Sequence, residues 1–170
     1  MTQPAECAPT KSYPPDEAHA RLLRLAGQWR GVARTWLEPG KPPSEARWEG
    51  SIAPVLGGRF VRFTYGSELQ GTPFAGELLI AYESGEGLWR TSWVDSFHTG
   101  TAILVSVGEG GAGAQPVRVR GSYFAAPGHP HWGWRTELDD SDPAGLALRM
   151  FNVSPEGQED LGVEVVLRRA

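Results

Sequence analysis

The sequence predicts an all-β fold: one antiparallel meander barrel of about ten strands, led by a single short helix. Three observations predict it. Apolar and polar residues alternate with period two from Gln28 to the end. Turn residues interrupt that alternation roughly every 8–15 positions. No connector is long enough to hold the crossover that joins parallel strands.

Residues 1–15 are rich in Ala and Pro and close on Pro14-Pro15, so they read as a flexible arm ahead of a barrel domain over 16–170. Asp16 is placed as a helix N-cap, with Glu17 in the first turn where the helix dipole favours a carboxylate. Ala18, Leu22, Leu23, Leu25 and Ala26 supply an apolar side, and Gly27 ends the helix. Strands are expected at about 28–37, 44–54, 59–68, 73–83, 87–95, 98–107, 116–124, 131–138, 145–153 and 160–169. Val61, Phe63 and Tyr65 against Arg62 and Thr64 show the pattern, as do Val163, Val165 and Leu167 against Glu164 and Arg168. One face of each strand is therefore buried and the other wet. Closing the sheet removes its edges, which favours a barrel over a sandwich.

A chain of 170 residues supports one domain, and 40 % hydrophobic residues can fill one core. Net charge is −4 with no basic stripe, which excludes nucleic acid and anionic membrane surfaces as expected partners. The single cysteine, Cys7, rules out an internal disulfide and reads as a thiol of the arm. The start of the chain lacks both a positive segment and an apolar run, so a cytoplasmic location is the default expectation. A homodimer is left open.

Gly27-Gln28-Trp29 stands where the helix passes into the first strand, and Arg169 is in phase with the apolar face of the last. An Arg on such a face needs a partner, and an indole supplies one. A Gly-x-Trp at that point resembles the start of calycin (lipocalin-like) barrels, which implies that Trp29 closes one end with Arg169 packed across it. Longer stretches, Arg34-Thr35-Trp36-Leu37-Glu38-Pro39-Gly40-Lys41-Pro42-Pro43, Pro54-Val55-Leu56-Gly57-Gly58-Arg59-Phe60 and Thr91-Ser92-Trp93-Val94-Asp95-Ser96, resemble the uncharacterised bacterial family called domain of unknown function 1579. That resemblance covers about residues 17–169 and implies a lipocalin-like barrel but no activity. The chain departs from the haem-binding calycins called nitrobindins, since no His follows His131 where their haem ligand stands. Haem held in that way is not expected, and no cofactor is.

Seven tryptophans are many for a barrel of this size, and interior side chains either fill the lumen or line a cavity. Both readings stay open. If there is a cavity, Tyr65, Trp93, Trp134 and Met150 are expected to line it, with Asp95 and Arg135 as its polar groups. Arg135 conflicts with the parity of Trp132 and Trp134, which turns it outward unless a bulge intervenes. Asp95 has two readings: a buried carboxylate needing Arg135 or His98 as donor, or a strand-end acceptor of backbone N–H groups in Asp95-Ser96-Phe97-His98. His129 and His131 read as surface-loop residues, His19 likewise, and no metal site is expected because no third ligand stands near them.

These residues suggest a barrel that binds a small apolar or amphipathic molecule. An enzyme of isomerase, cyclase or hydrolase type, using a buried Asp in the same cavity, is the alternative; a structural domain with a filled lumen is the third. No nucleophile elbow, phosphate loop or dinucleotide motif supports a particular reaction.

Overall fold

The computed structural model describes residues 16–108 and 110–170. The arm over 1–15 and Cys7 lie outside the described residues. Helix α1 (Glu17–Arg24) leads into ten strands: β1 (Gly27–Thr35), β2 (Ser44–Val55), β3 (Phe60–Leu69), β4 (Thr72–Glu83), β5 (Leu88–Asp95), β6 (Leu104–Gly108), β7 (Val117–Tyr123), β8 (Trp132–Asp139), β9 (Gly145–Val153) and β10 (Glu159–Arg169). Each strand pairs antiparallel with its sequence neighbour, and β1 also pairs with β10, so the sheet closes into a barrel.

The sixth strand departs from expectation. It begins at Leu104, not 98, because Asp95 to Thr101 form a turn in which the Asp95 carboxylate gathers backbone N–H groups. The Asp95 carboxylate and the Thr99 hydroxyl satisfy the backbone locally and so compete with sheet pairing.

The alternation places Trp29, Ala33, Trp48, Ile52, Val61, Phe63, Ile80, Trp89, Leu148, Val165 and Leu167 inside, all buried. The middle of the lumen is thus a packed core. At the β1–β10 seam the wall is close enough that a Cβ on Gly31 would collide with the backbone carbonyl of Val166. Only glycine fits there.

Helix α1 plugs one end. Asp16 caps it by accepting from Ala18 N at 3.0 Å and His19 N at 3.2 Å. The His19 ring returns to Asp16, which buries a side chain expected at the surface. Ala18, Leu22 and Leu25 turn into the lumen. Arg21 anchors the helix from the same side: it ion-pairs with Asp140, donates to Ala114 O and Gln115 Oε1, and lies 5.5 Å from the Trp89 ring. Burial alone raises the Asp140 pKa, but the hydrogen bond and charge of Arg21 outweigh it and hold the carboxyl below its usual range.

Trp29 lies beneath the C-terminal end of α1, 2 % exposed, and its Nε1 donates to Leu25 O at 2.8 Å. The Arg169 guanidinium carbon stands 4.6 Å from the Trp29 ring centroid. Its two terminal nitrogens donate to the carbonyls of Ala26, at 3.0 Å, and Arg24. One side chain thereby covers the indole and satisfies carbonyls that the helix end leaves free.

Candidate functional site

Helix α1 covers one end of the barrel, and the other end stays open. A cavity of about 570 Å³ opens there, between the β5–β6 and β7–β8 loops and the ends of β1 and β10. Its base carries Trp93 of β5 and Trp134 of β8, stacked with ring centroids 5.4 Å apart and planes at 24°. Both indoles point inward because they occupy the buried parity of their strands. His98 from the Asp95–Thr101 turn and Tyr123 of β7 complete the aromatic lining. Tyr123 donates to Asn152 Oδ1 at 2.9 Å.

Beneath this lining lies a hydrogen-bonded chain. Trp93 Nε1 donates to Tyr65 Oη at 2.7 Å, and Tyr65 donates to Asp95 Oδ2 at 3.4 Å. His98 Nδ1 meets the same Asp95 Oδ2 at 2.6 Å. Asp95 Oδ1 accepts from the backbone N–H groups of Phe97 at 3.1 Å, His98, and Thr99 at 3.1 Å. Both readings of Asp95 therefore hold at once, one for each oxygen. Burial works against ionisation of Asp95, but the bond and charge of His98, then the turn N–H groups, hold its carboxyl below the usual range. Burial and the adjacent Asp95 charge push the Tyr65 phenol far up. Gly76 makes room for the chain, since a Cβ there would fall within 2.6 Å of Asp95 Cβ and against the Tyr65 hydroxyl.

Of the six residues expected to line a cavity, Trp93 and Trp134 do so. Tyr65, Asp95 and Met150 are buried beneath the lining and do not reach the cavity. Arg135 is a correction. It lies on the outer wall, where it pairs with Glu159 at 2.7 Å and Glu137 at 2.6 Å and stacks 3.8 Å over Phe151. No bulge intervenes in β8, so the strict alternation that buries Trp134 turns its neighbour outward. Asp95 takes His98 as its partner instead.

Tyr123 and Asn152 are lining residues that the sequence pattern did not single out, and His98 was named there only as a donor to Asp95. The one available signal was the position of His98, three residues after an Asp at a strand end. His129 and His131 are exposed. Among the described residues no three His, Cys, Asp or Glu side chains are grouped to hold a metal ion. No helix among them is long and apolar enough to cross a membrane.

Two polar atoms of the lining residues stand out. His98 Nε2 and Trp134 Nε1 are buried and have no hydrogen-bond partner among the described residues. Such atoms are uncommon in folded proteins and each costs about 1–3 kcal/mol when left unmet.

The depressed Asp95 and Asp140 carboxyls also fix an acid limb. A carboxyl whose folded pKa lies below its unfolded value near 3.9 stabilises the fold above that value and loses the contribution as pH falls. Stability should therefore decline as pH drops below about 4, and Asp95→Asn should flatten the decline. Urea melts across that range check it; an unchanged slope in the variant would contradict the assignment.

A model of the family described as "Protein of unknown function (DUF1579)" matches residues 14–169. Among solved structures, Rv2717c from M. tuberculosis is similar at a TM-score of 0.62 and 18 % identity, over 90 % of this chain and 97 % of that one. At that identity the likeness concerns the fold alone. No curated protein matches the sequence.

Proposed function

The chain belongs to the DUF1579 family, described as proteins of unknown function, so we propose a function from its own cavity: it binds a small apolar or amphipathic molecule at the open end of the barrel. The observation that carries this reading is a cavity of about 570 Å³ walled by stacked indoles, with buried, unmet nitrogens on two of its residues. Pockets for small molecules are largely apolar with a few fixed polar groups, and their volumes fall in this range. An apolar body would lie against Trp93 and Trp134.

N-phenyl-1-naphthylamine, a neutral apolar fluorophore, tests the reading. It should brighten on binding and accept energy from the indoles. Trp93→Phe should reduce the transfer, and Thr35→Trp, which puts a large ring into the lining, should abolish binding. No brightening in the wild type would leave the cavity without a ligand and restore the structural-domain reading.

A second reading is favoured by the 2.6 Å bond between Asp95 and His98. A carboxylate that orients an imidazole is the arrangement of a general base. In that case His98 would move the proton and Asp95 would hold it in place, because Asp95 itself does not reach the cavity.

A further inference from the structure

One polar side chain of the cavity is open to solvent and has a donor to spare. Asn152 of β9 follows buried Met150 by two positions, on the same inward side of the strand, and pairs across to Trp134 of β8. It lines the cavity. Its Oδ1 is taken by the Tyr123 hydroxyl at 2.9 Å, which fixes the amide. Nδ2 has no hydrogen-bond partner among the described residues, yet unlike the Trp134 nitrogen it is not one of the buried, unmet atoms. Solvent therefore reaches it, and for an inward lining residue that solvent is the cavity's.

The wall beside the amide is kept clear. β10 carries a bulge between Leu161 and Val163, where Gly162 drops out of register with β9. Bulges re-aim neighbouring side chains and are frequent beside functional sites. Gly162 lines the cavity, and a Cβ on it would stand 3.2 Å from Asn152 Nδ2 and 3.8 Å from the Trp134 ring.

An amide nitrogen only donates, so the group that meets it must accept. Among the described residues no Lys, Arg, Asp or Glu lines the cavity. A charged acceptor would enter without a counter-ion, which is costly. A hydroxyl accepts, but brings a proton that needs an acceptor of its own, and Asn152 Oδ1 is occupied. A carbonyl oxygen has no such need.

We propose that Asn152 selects the ligand's head group: its Nδ2 donates to a neutral carbonyl oxygen, with Tyr123 as the positioning residue that holds the amide. The assignment rests on the cavity reading above and adds the chemical class of the polar end. The stacked indoles of Trp93 and Trp134 take the apolar body.

Three naphthalenes test it by displacing N-phenyl-1-naphthylamine from the full chain: 2-acetylnaphthalene, its oxygen-free isostere 2-isopropenylnaphthalene, and 2-naphthoate. The ketone must give up its water, so the informative quantity is the ratio of ketone to alkene affinity, compared between proteins. Asn152→Leu should lower that ratio about tenfold or more, because the carbonyl is then buried unmet. Tyr123→Phe should lower it by less and leave the alkene's affinity in place, whereas a purely structural role would weaken both alike. Naphthoate should bind weakest. A ratio that Asn152→Leu leaves unchanged would overturn the head group and leave the cavity reading standing, and naphthoate binding tightest would do the same. If N-phenyl-1-naphthylamine itself does not bind, both readings fall. The infrared stretch of a carbon-13-labelled ketone gives a check that needs no variant. Bound to the wild type, it should lie below its position in hexane; a stretch at the hexane position would contradict the assignment.

Discussion

Trp29→Ala should lower the unfolding free energy by about 3–5 kcal/mol, the range for emptying a large aromatic site in a core. The indole is 2 % exposed, under the end of α1 and against the last strand. Its loss removes three things together: a filled volume, the bond from Nε1 to Leu25 O, and the surface on which Arg169 rests. For a domain of this size each kcal/mol moves the midpoint by about 2–4 °C, so the shift is well within reach of a thermal melt. Trp29→Phe should retain most of the volume and cost markedly less. A melt that Trp29→Ala leaves unchanged would mean that the end of the barrel is held by something else.

The second large effect is expected at Arg21 and Asp140. Arg21→Met leaves the Asp140 carboxylate, with a side chain 9 % exposed, without its guanidinium. Breaking a buried pair from one side costs about 3–5 kcal/mol, because the remaining charge is uncompensated. Replacing both partners by apolar groups of similar size should recover much of that loss, so Arg21→Met with Asp140→Leu should be more stable than Arg21→Met alone. A double-mutant cycle by urea denaturation measures the difference. Additive losses would show that the two side chains stabilise independently, and the anchoring role of the pair would fall.

The residues that carry these two expectations were unequally legible. Trp29 and Arg169 could be paired from the sequence, because a Gly-x-Trp opens the first strand and Arg169 shares the buried phase of Val163, Val165 and Leu167. Arg21 and Asp140 could not, since they are 119 positions apart and meet only when α1 folds over the barrel end. The strands were legible because half-buried strands alternate, and nine of the ten fall within about two residues of expectation. The exception, β6, ends where expected but starts at Leu104 and not 98, because the Asp95 turn replaces sheet pairing with local hydrogen bonds. Arg135 shows the same rule from the other side: alternation with Trp134 already turned it outward, and the structure keeps that alternation. The chain from Trp93 through Tyr65 and Asp95 to His98 was only half visible. Asp95 and His98 share a turn, but Tyr65 comes from a strand 30 positions earlier, and nothing local records which ring it will meet. Nor does periodicity say which end of a barrel stays open. That depends on where the helix packs.

The seam between β1 and β10 has a consequence for how such a chain can fold. Every other strand pairing joins sequence neighbours and can form as a hairpin, at the low entropic cost of a short loop. The seam joins residues far apart in the chain, from Thr35 and Val163 to Trp29 and Arg169. Loop-closure entropy grows only with the logarithm of length, so the distance itself is no great barrier. What the seam requires is that the other nine pairings have already carried the last strand round to the first. In a hairpin-by-hairpin route it is the step that completes the circle. The Arg169 contacts with Trp29 and with the last carbonyls of α1 become available only then, which ties the docking of the helix end to the final turn of the sheet.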